Sequence, residues 1–212
     1  MKIGIIGSGH IGSTVGALWA KAGHQAMFSS RHPEQLDDLL KRVDHNARRG
    51  TPEEAARFGD VIFLSIPFKA LPEMGRALSP LLQDKIVLET SNPYPERDGD
   101  IARQVIQSGR GTGPFVAQQF PGAIIVRAFN SVWSETLSRQ AHRAAPQVGI
   151  PLASDHRDAL QLAATLVKDA GFEPVIVGGL ARSKDFDVGT PVYNTGMSGP
   201  ELRKALGLEA AA

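Results

Sequence analysis

Residues 1–16 read MKIGIIGSGHIGSTVG, a short apolar run followed at once by three closely spaced glycines. The run over residues 3–6 predicts a buried strand, and the segment after the glycines predicts a helix. Gly7 would permit a tight turn, Gly9 would let the backbone approach a pyrophosphate, and Gly12 would let the helix pack closely on the strand. The N–H groups at the start of such a helix attract phosphate oxygens. The stretch therefore predicts a strand, a turn and a helix that together bind a dinucleotide.

The second predicted strand, residues 25–28, is followed by Ser29, Ser30 and Arg31. In sites for NAD, a carboxylate at this point accepts hydrogen bonds from the adenosine ribose. A carboxylate would repel a 2′-phosphate, whereas a hydroxyl and a guanidinium bind one well. The missing acid therefore predicts NADP(H) as the cofactor, with contacts from Ser29, Ser30 and Arg31.

Short apolar runs rich in β-branched residues recur along the chain, with room for a helix between them. They are nearly continuous in hydrophobicity, which is typical of strands covered on both faces of a parallel sheet. The pattern predicts an α/β fold of the Rossmann type: a doubly wound, mainly parallel sheet with helices on both faces. The predicted strands are 3–6, 25–28, 61–64, 86–88, 124–126, 148–150 and 175–177. Helix starts are predicted at His32-Pro33, Thr51-Pro52-Glu53-Glu54, Ser154-Asp155 and Ser198-Gly199-Pro200-Glu201.

The chain divides most simply into two units. Residues 1–145 are predicted to form the NADP-binding Rossmann domain, and residues 146–212 a C-terminal extension of strand, helix, strand and helical tail on the same sheet. Within the first unit, residues 91–122 are rich in Pro and Gly and predict a loop, a helix and a second loop beside the crevice. The tail from Gly189 is too polar for a core element, which suggests a lid over the cleft or an exchange with a second subunit.

The bulk composition excludes several classes of function. The net charge is +1, with 23 Lys and Arg against 22 Asp and Glu, so no nucleic acid or acidic membrane is expected as a partner. The chain has no cysteine, and it lacks a Walker lysine, an H-E-x-x-H motif and a G-x-S-x-G motif. No run approaches the roughly 20 apolar residues that span a bilayer. We expect a soluble, cytoplasmic protein without a metal site.

The order of motifs along the chain resembles a known family. The glycine turn and Ser30-Arg31 are followed by Ser65-Ile66-Pro67, Thr90-Ser91-Asn92-Pro93 and Arg127-Ala128-Phe129-Asn130, each after a predicted strand. This order is similar to that of the NADP oxidoreductases that use the deazaflavin coenzyme F420. It also resembles the cytosolic domain of six-transmembrane metalloreductases of the prostate-antigen type. The likeness covers residues 1 to about 188 and implies a Rossmann-type oxidoreductase.

The resemblance also implies roles for individual residues. Ser30 and Arg31 would hold the 2′-phosphate, and Phe129 and Asn130 would flank the cleft where a second redox partner stacks. The segment Pro33-Glu34-Gln35 lacks a further basic residue that the F420 enzymes carry there, so the 2′-phosphate would be bound less tightly. The residues expected to contact the cofactor are Gly7, Ser8, Gly9, His10, Ile11, Gly12, Ser29, Ser30, Arg31, Ser65, Ile66, Pro67, Ser91, Asn92, Ala128 and Asn130.

The function expected from these patterns is hydride transfer between NADPH and a flavin-like or deazaflavin acceptor, with F420 or FAD as the second redox partner. Such chemistry needs alignment of two rings rather than a nucleophile. An acceptor of another kind, such as a small imine, carbonyl, quinone or ferric substrate, stays open, as does a redox sensor that binds NADPH without turnover. If a proton donor is needed, Tyr94, Tyr193 and Asp187 are the candidates, whereas His24 is expected to be structural. The family likeness implies a homodimer.

Overall fold

The computed structural model of the chain describes residues 1–43 and 46–208. Within them the strands are β1 (Lys2–Ile6), β2 (Gln25–Ser29), β3 (Ala47–Gly50), β4 (Val61–Leu64), β5 (Ile86–Glu89), β6 (Ile124–Arg127), β7 (Gly149–Ala153) and β8 (Glu173–Gly178). They form one sheet in the order β3-β2-β1-β4-β5-β6-β7-β8. β1 to β6 run parallel, β7 runs antiparallel to β6, and β8 runs parallel to β7.

Helices connect the strands and cover both faces of the sheet. They are α1 (His10–Lys21), α2 (Asp37–Leu40), α3 (Pro52–Phe58), α4 (Leu71–Leu78), α5 (Pro95–Asp98), α6 (Asp100–Ser108), α7 (Thr112–Gln119), α8 (Ser134–Gln140), α9 (Arg157–Asp169) and α10 (Gly199–Ala205). Short 3₁₀ segments lie at Pro33–Leu36, Phe68–Ala70, Ser79–Leu81 and Leu180–Phe186. The prediction of a Rossmann-type α/β fold is confirmed.

Neighbouring residues of the central strands enter two different cores. Ile5 and Phe63 pack on one face of the sheet with Trp19 of α1. Ile6 and Ile62 pack on the other face. Because both faces are covered, the strands need apolar residues at successive positions, which is why their hydrophobicity is nearly continuous.

The strand order reverses direction at β1, which lies between β2 and β4. In open α/β sheets the crevice outside the carboxyl ends of the strands at such a reversal is where ligands bind. The loops that leave β1, β2, β4, β5 and β6 all start at this edge.

Three local features differ from the sequence predictions. β3 was missed, because Arg48 and Arg49 are exposed on an edge strand and produce no apolar run; Arg48 lies over the ring of Phe58 at 4.9 Å. Residues 95–119 form three helices instead of one, separated at Gly99 and Gly111, whose φ angles are +70° and +84°.

The third difference concerns α9, which begins at Arg157 rather than at Ser154. The Ser154 hydroxyl donates to the carbonyl of Ile125 at 2.7 Å, so it fastens β6 instead of capping the helix. The starts of α3 and α10 are confirmed, because Thr51 with Glu54 and Ser198 with Glu201 each form a reciprocal cap.

The C-terminal part of the chain continues the same sheet. Arg127 pairs with Ala153 across β6 and β7, and the indole N–H of Trp19 donates to the carbonyl of Leu166 at 2.8 Å. The division at residue 146 stays a prediction, and residues 209–212 of the predicted tail lie outside the described residues. None of the helices among the described residues is both long and apolar enough to cross a membrane.

Candidate functional site

The turn between β1 and α1 is closely packed at its first and third glycines. Gly7 has φ +96°, and a methyl group added there would overlap the carbonyl oxygen of Ser65. A methyl group on Gly12 would overlap the carbonyl oxygen of Gly7. At Gly9, in contrast, no heavy atom of residues 1–43 or 46–208 lies within 4 Å of the position that a Cβ would take. The turn therefore presents bare backbone to solvent at one position, where a phosphate can approach.

The start of α1 adds hydrogen-bond donors to this opening. Gly9 precedes the helix without a side-chain cap, and the first turn contains no acidic residue. The N–H groups of the first turn are therefore available to an anion at the positive end of the helix dipole. The Ser8 hydroxyl donates to the carbonyl of Ser29 at 3.0 Å, which ties the turn to the end of β2.

A cleft of about 750 Å³, here called the arginine cleft, lies between the turn and the end of β2. Arg31 is exposed in it, and among the described residues it has no carboxylate partner. The main-chain N–H of Ser30 donates to the carbonyl of Gly50 at 3.2 Å, and the Ser30 hydroxyl accepts from the N–H of His32 at 3.1 Å. The cleft is lined by Ile6, Gly7, Ser8, Gly9, Ser29, Ser30, Arg31, Gln35, Leu36, Pro52, Ile66, Pro67, Lys69, Ala70, Glu73 and Met74.

A second cleft of about 500 Å³, here called the tyrosine cleft, adjoins the first. The two share Gly9, Ile66 and Pro67 as a common wall. The tyrosine cleft is lined by Gly9, His10, Ile11, Ser65, Ile66, Pro67, Thr90, Ser91, Asn92, Tyr94, Arg97, Phe129, Asn130, Val132, Trp133, Ser134, Tyr193 and Asn194. A ligand with two ends can thus lie across the start of α1, one end in each cleft.

A buried charge network supports the floor of the tyrosine cleft. Glu89 and Arg127 are opposite one another at the ends of β5 and β6, and both side chains are fully buried. The Arg127 guanidinium donates to Glu89 at 2.5 Å, to the carbonyl of Ser91, to Asn92 Oδ1 at 2.9 Å and to Asp187 at 3.0 Å. Burial raises the pKa of Glu89, although the positive charge of Arg127 acts to lower it. One guanidinium therefore fixes the loop after β5 to the segment that follows β8.

The loop after β5 is also held at its far end. Asp98 accepts hydrogen bonds from the main-chain N–H groups of Lys69 and Tyr94 and from Arg97. Burial alone would raise the pKa of Asp98, but these hydrogen bonds outweigh it and the pKa lies below its ordinary value. The Arg97 guanidinium lies over the ring of Tyr94 at 4.8 Å. Tyr94 thereby acquires a fixed position in the tyrosine cleft.

Comparisons with known proteins agree with this geometry. Residues 2–93 match the family model described as NADP oxidoreductase, coenzyme F420-dependent. The resemblance to F420-dependent NADP oxidoreductases is confirmed. The chain is 27% identical over 204 residues to the F420-dependent NADP reductase of Methanothermobacter thermautotrophicus, covering 91% of this chain and 87% of the relative.

Two further comparisons extend the likeness beyond the matched segment. The chain is 25% identical over 189 residues to metalloreductase STEAP3 of Rattus norvegicus, covering 88% of this chain and 36% of that protein. A crystal structure of a hypothetical protein from Sinorhizobium meliloti is similar with a TM-score of 0.79 and 25% identity, over 93% of this chain and 95% of that one. The prediction of an oxidoreductase is confirmed, and the F420-dependent family supports NADP use.

Most of the residues expected from the family resemblance line one of the two clefts. The exceptions are Gly12, which is buried against Gly7, and Ala128, which is buried and whose N–H donates to the carbonyl of Glu89 at 3.0 Å. Ser29 lines the arginine cleft, but its hydroxyl points inward and donates to the carbonyl of Ile5 at 2.8 Å. These residues shape the clefts through packing and main chain rather than through free side chains.

Other candidate residues have structural roles. The ring of Phe129 is fully buried, in edge contact with Trp19 and Phe63 at 5.9 and 5.8 Å, so it offers no stacking surface to a ligand. His24 lies 3.0 Å from Asp169, which agrees with the structural role predicted for it.

Asp187, a candidate proton donor, is engaged instead by Arg127 and by the N–H of Thr112 at 2.7 Å. Among the described residues, no group of three or more His, Asp or Glu side chains could hold a metal ion.

Sequence reasoning missed several contributors to the site. Trp133, 61% exposed, stands at the edge of the tyrosine cleft, and exposure of this kind has no sequence signature. The ion pair of Glu89 and Arg127 did have a signal, since each is the one charged residue at the end of an apolar strand. Lys69, in the 3₁₀ segment before α4, and Glu73, in the first turn of α4, line the arginine cleft, a contact that depends on the placement of these two elements.

Proposed function

We propose that the protein is an NADPH-dependent oxidoreductase that transfers hydride to a small organic acceptor. The observation that carries this proposal is the pair of adjoining clefts, which share Gly9, Ile66 and Pro67 across the start of α1. The arginine cleft offers a cation for a 2′-phosphate, and the tyrosine cleft offers space and polar groups for a reaction. The F420-dependent family and relatives described as reductases support the same reading.

The dinucleotide would lie with its pyrophosphate at Gly9 and the first turn of α1, where unpaired N–H groups meet the oxygens. Its 2′-phosphate would lie against Arg31, with the Ser30 hydroxyl beside it. This assignment of Ser30 and Arg31 rests on their position in the arginine cleft and on the absence of a carboxylate at the end of β2.

The nicotinamide end would occupy the tyrosine cleft, where it would supply a hydride. Ser65, Ile66 and Pro67 follow β4 without a helical turn and form the wall next to the α1 start. Proline restricts the backbone there, so the wall is preorganised. The buried guanidinium of Arg127 holds the opposite wall by fastening Ser91 and Asn92.

For the acceptor we favour a flavin-like or deazaflavin ring such as F420. The indole of Trp133 is exposed at the edge of the tyrosine cleft, where a flat ring could stack on it. The description of the Methanothermobacter relative as an F420-dependent NADP reductase supports this choice. A small imine, carbonyl or quinone is the alternative, and the two tyrosine hydroxyls in the same cleft favour it.

The proposal is tested by mixing the purified chain with NADPH and, one at a time, F420, FAD, FMN, menadione, 1-pyrroline and ferric citrate. Loss of nicotinamide absorbance is followed, with NADH as the matched comparison. We expect faster turnover with NADPH than with NADH and the highest rate with F420. Tight NADPH binding with no oxidation by any of the acceptors would overturn the proposal in favour of a sensor.

The homodimer implied by the family resemblance also remains a proposal. Trp133 lies beside the open side of the tyrosine cleft, so a second subunit there would complete its wall. Sedimentation equilibrium measures the mass directly, and a mass of one chain at micromolar concentration would contradict the dimer. The cytoplasmic location stays a prediction.

A further inference from the structure

The hydroxyl groups of Tyr94 and Tyr193 are in direct hydrogen-bond contact inside the tyrosine cleft. The two residues are 99 positions apart and come from the loop after β5 and from the tail. They are the only tyrosines of the chain. Both side chains are partly buried, and both face the space next to Pro67.

The direction of the hydrogen bonds around the pair follows from Arg127. A guanidinium can only donate, so the Asn92 side-chain atom 2.9 Å from it must be the oxygen. The Asn92 amide nitrogen then donates to the carbonyl of Asn130 at 2.8 Å and to the Tyr193 oxygen at 3.2 Å. Because the Tyr193 oxygen accepts from this amide, its own proton must point elsewhere.

A count of protons shows what the pair can offer. Two hydroxyl groups carry two protons, and one proton lies in the contact between them. Among the described residues the Tyr193 hydroxyl also contacts the side chain of Asn194, and this contact lowers the pKa of Tyr193, as a hydrogen bond donated to the phenol oxygen does. The second proton of the pair is therefore left facing the cleft. Burial, and then the contact with Tyr94, raises the pKa of Tyr193, so the Tyr193 hydroxyl stays protonated near neutral pH.

We propose that Tyr94 and Tyr193 form a hydroxyl pair that donates a hydrogen bond, and then a proton, to the oxygen or nitrogen atom of the acceptor. This inference rests on the proposed function. The hydride, which carries both electrons, passes to a carbon of a C=O or C=N group, or of a conjugated C=C–C=O or C=C–C=N group. The displaced π electrons collect on the oxygen or nitrogen, which takes the phenol proton, and water reprotonates the pair. In total, NADPH, acceptor and one H⁺ give NADP⁺ and the reduced acceptor.

The pair therefore narrows the substrate class. An acceptor suited to it carries an oxygen or nitrogen that becomes basic as the hydride arrives, as carbonyl, imine, quinone and deazaflavin groups do. A ferric ion takes up electrons without a proton and makes no use of a phenol donor. The hydroxyl pair thus favours an organic acceptor over a metal ion.

The experiment compares wild type with Tyr94→Phe, Tyr193→Phe and the double variant, using the acceptor in the panel above that gives the highest rate. Phenylalanine retains the ring on which Arg97 lies and removes only the hydroxyl. Ser138→Ala is the control, because it removes an exposed hydroxyl that donates to Glu135 on α8 away from both clefts. The measurements are kcat, the Kd of NADPH and the melting temperature.

We expect the double variant to lose about 100-fold or more in kcat, the usual scale for a general acid. Each single variant retains one hydroxyl and should lose much less, so that the double loss exceeds the product of the two single losses. The Kd of NADPH and the melting temperature should stay near those of wild type and Ser138→Ala.

Two outcomes separate this inference from the proposed function. If wild type oxidises NADPH with an acceptor and the double variant keeps the wild-type kcat, the hydroxyl pair is not the donor, although the oxidoreductase function stands. If wild type turns over none of the acceptors, the proposed function fails first. A double variant that loses NADPH affinity and melting temperature together with kcat would assign the pair a structural role and overturn the inference.

Discussion

Arg31 is the residue on which the choice between NADP and NAD depends. It is exposed in the arginine cleft, next to Ser30, and no carboxylate occupies the end of β2. Arg31→Ala removes hydrogen bonds that only the 2′-phosphate can receive. Since hydrogen bonds to a charged group contribute about 1.5–3 kcal/mol, we expect NADPH to bind about 10- to 100-fold more weakly. The affinity for NADH should change by less than about twofold, as measured by fluorescence titration.

The matched control for this prediction is Arg57→Ala, which removes the same charge from an exposed position in the last turn of α3, outside both clefts. It should leave both affinities unchanged. Equal losses of NADPH and NADH binding in Arg31→Ala would contradict the assignment, because they would point to a general effect on the cleft.

At the scale of the element, the turn between β1 and α1 needs glycine at two positions for different reasons. A methyl group at Gly12 meets the Gly7 carbonyl, so Gly12→Ala forces α1 away from β1. Such overpacking costs about 1–3 kcal/mol. A methyl group at Gly9 meets nothing in the described part of the chain, and Gly9→Ala should cost less than about 1 kcal/mol while obstructing the phosphates. Urea unfolding and NADPH titration of both variants check the prediction.

The expected pattern is specific: Gly12→Ala loses stability and affinity together, whereas Gly9→Ala loses affinity alone. A Gly9→Ala protein that binds NADPH as wild type does would mean that the pyrophosphate does not approach this turn. A Gly12→Ala protein of wild-type stability would mean that the close contact between α1 and β1 relaxes without cost.

The elements also explain how far the sequence could predict the site. The glycine turn and the strands other than β3 could be predicted because each depends on residues a few positions apart. The pairing of Tyr94 with Tyr193 joins segments 99 residues apart, and no local pattern carries it. Phe129 illustrates the same limit, since it borders the tyrosine cleft with Asn130 but its ring is fully buried in the core beside Trp19.

At the scale of the whole molecule, Arg127 joins the sheet to the C-terminal segment. It contacts Glu89 on the neighbouring strand and Asp187 after the last 3₁₀ turn, and both Arg127 and Glu89 are fully buried. Removing one member of a buried ion pair leaves the other charge without compensation, which typically costs about 3–5 kcal/mol. We therefore expect Arg127→Met to lower the free energy of unfolding by about this amount at pH 7, with early proteolysis near Asp187.

The free energy of unfolding that Arg127→Met loses relative to wild type should depend on pH in a definite direction. Burial already raises the pKa of Glu89, and without Arg127 nothing on β6 opposes that effect. The folded chain then binds a proton at Glu89 more readily than the unfolded chain, whose glutamate titrates near about 4.3. The lost stability should therefore be recovered as the pH falls through the raised pKa, and the gap to wild type should narrow from pH 7 toward pH 5. Urea titrations at both pH values measure this gap, and Glu89→Gln/Arg127→Met is the control, in which the narrowing that comes from Glu89 should be absent. A gap in Arg127→Met that widened toward pH 5 would show that the lost stability does not arise from the uncompensated charge of Glu89.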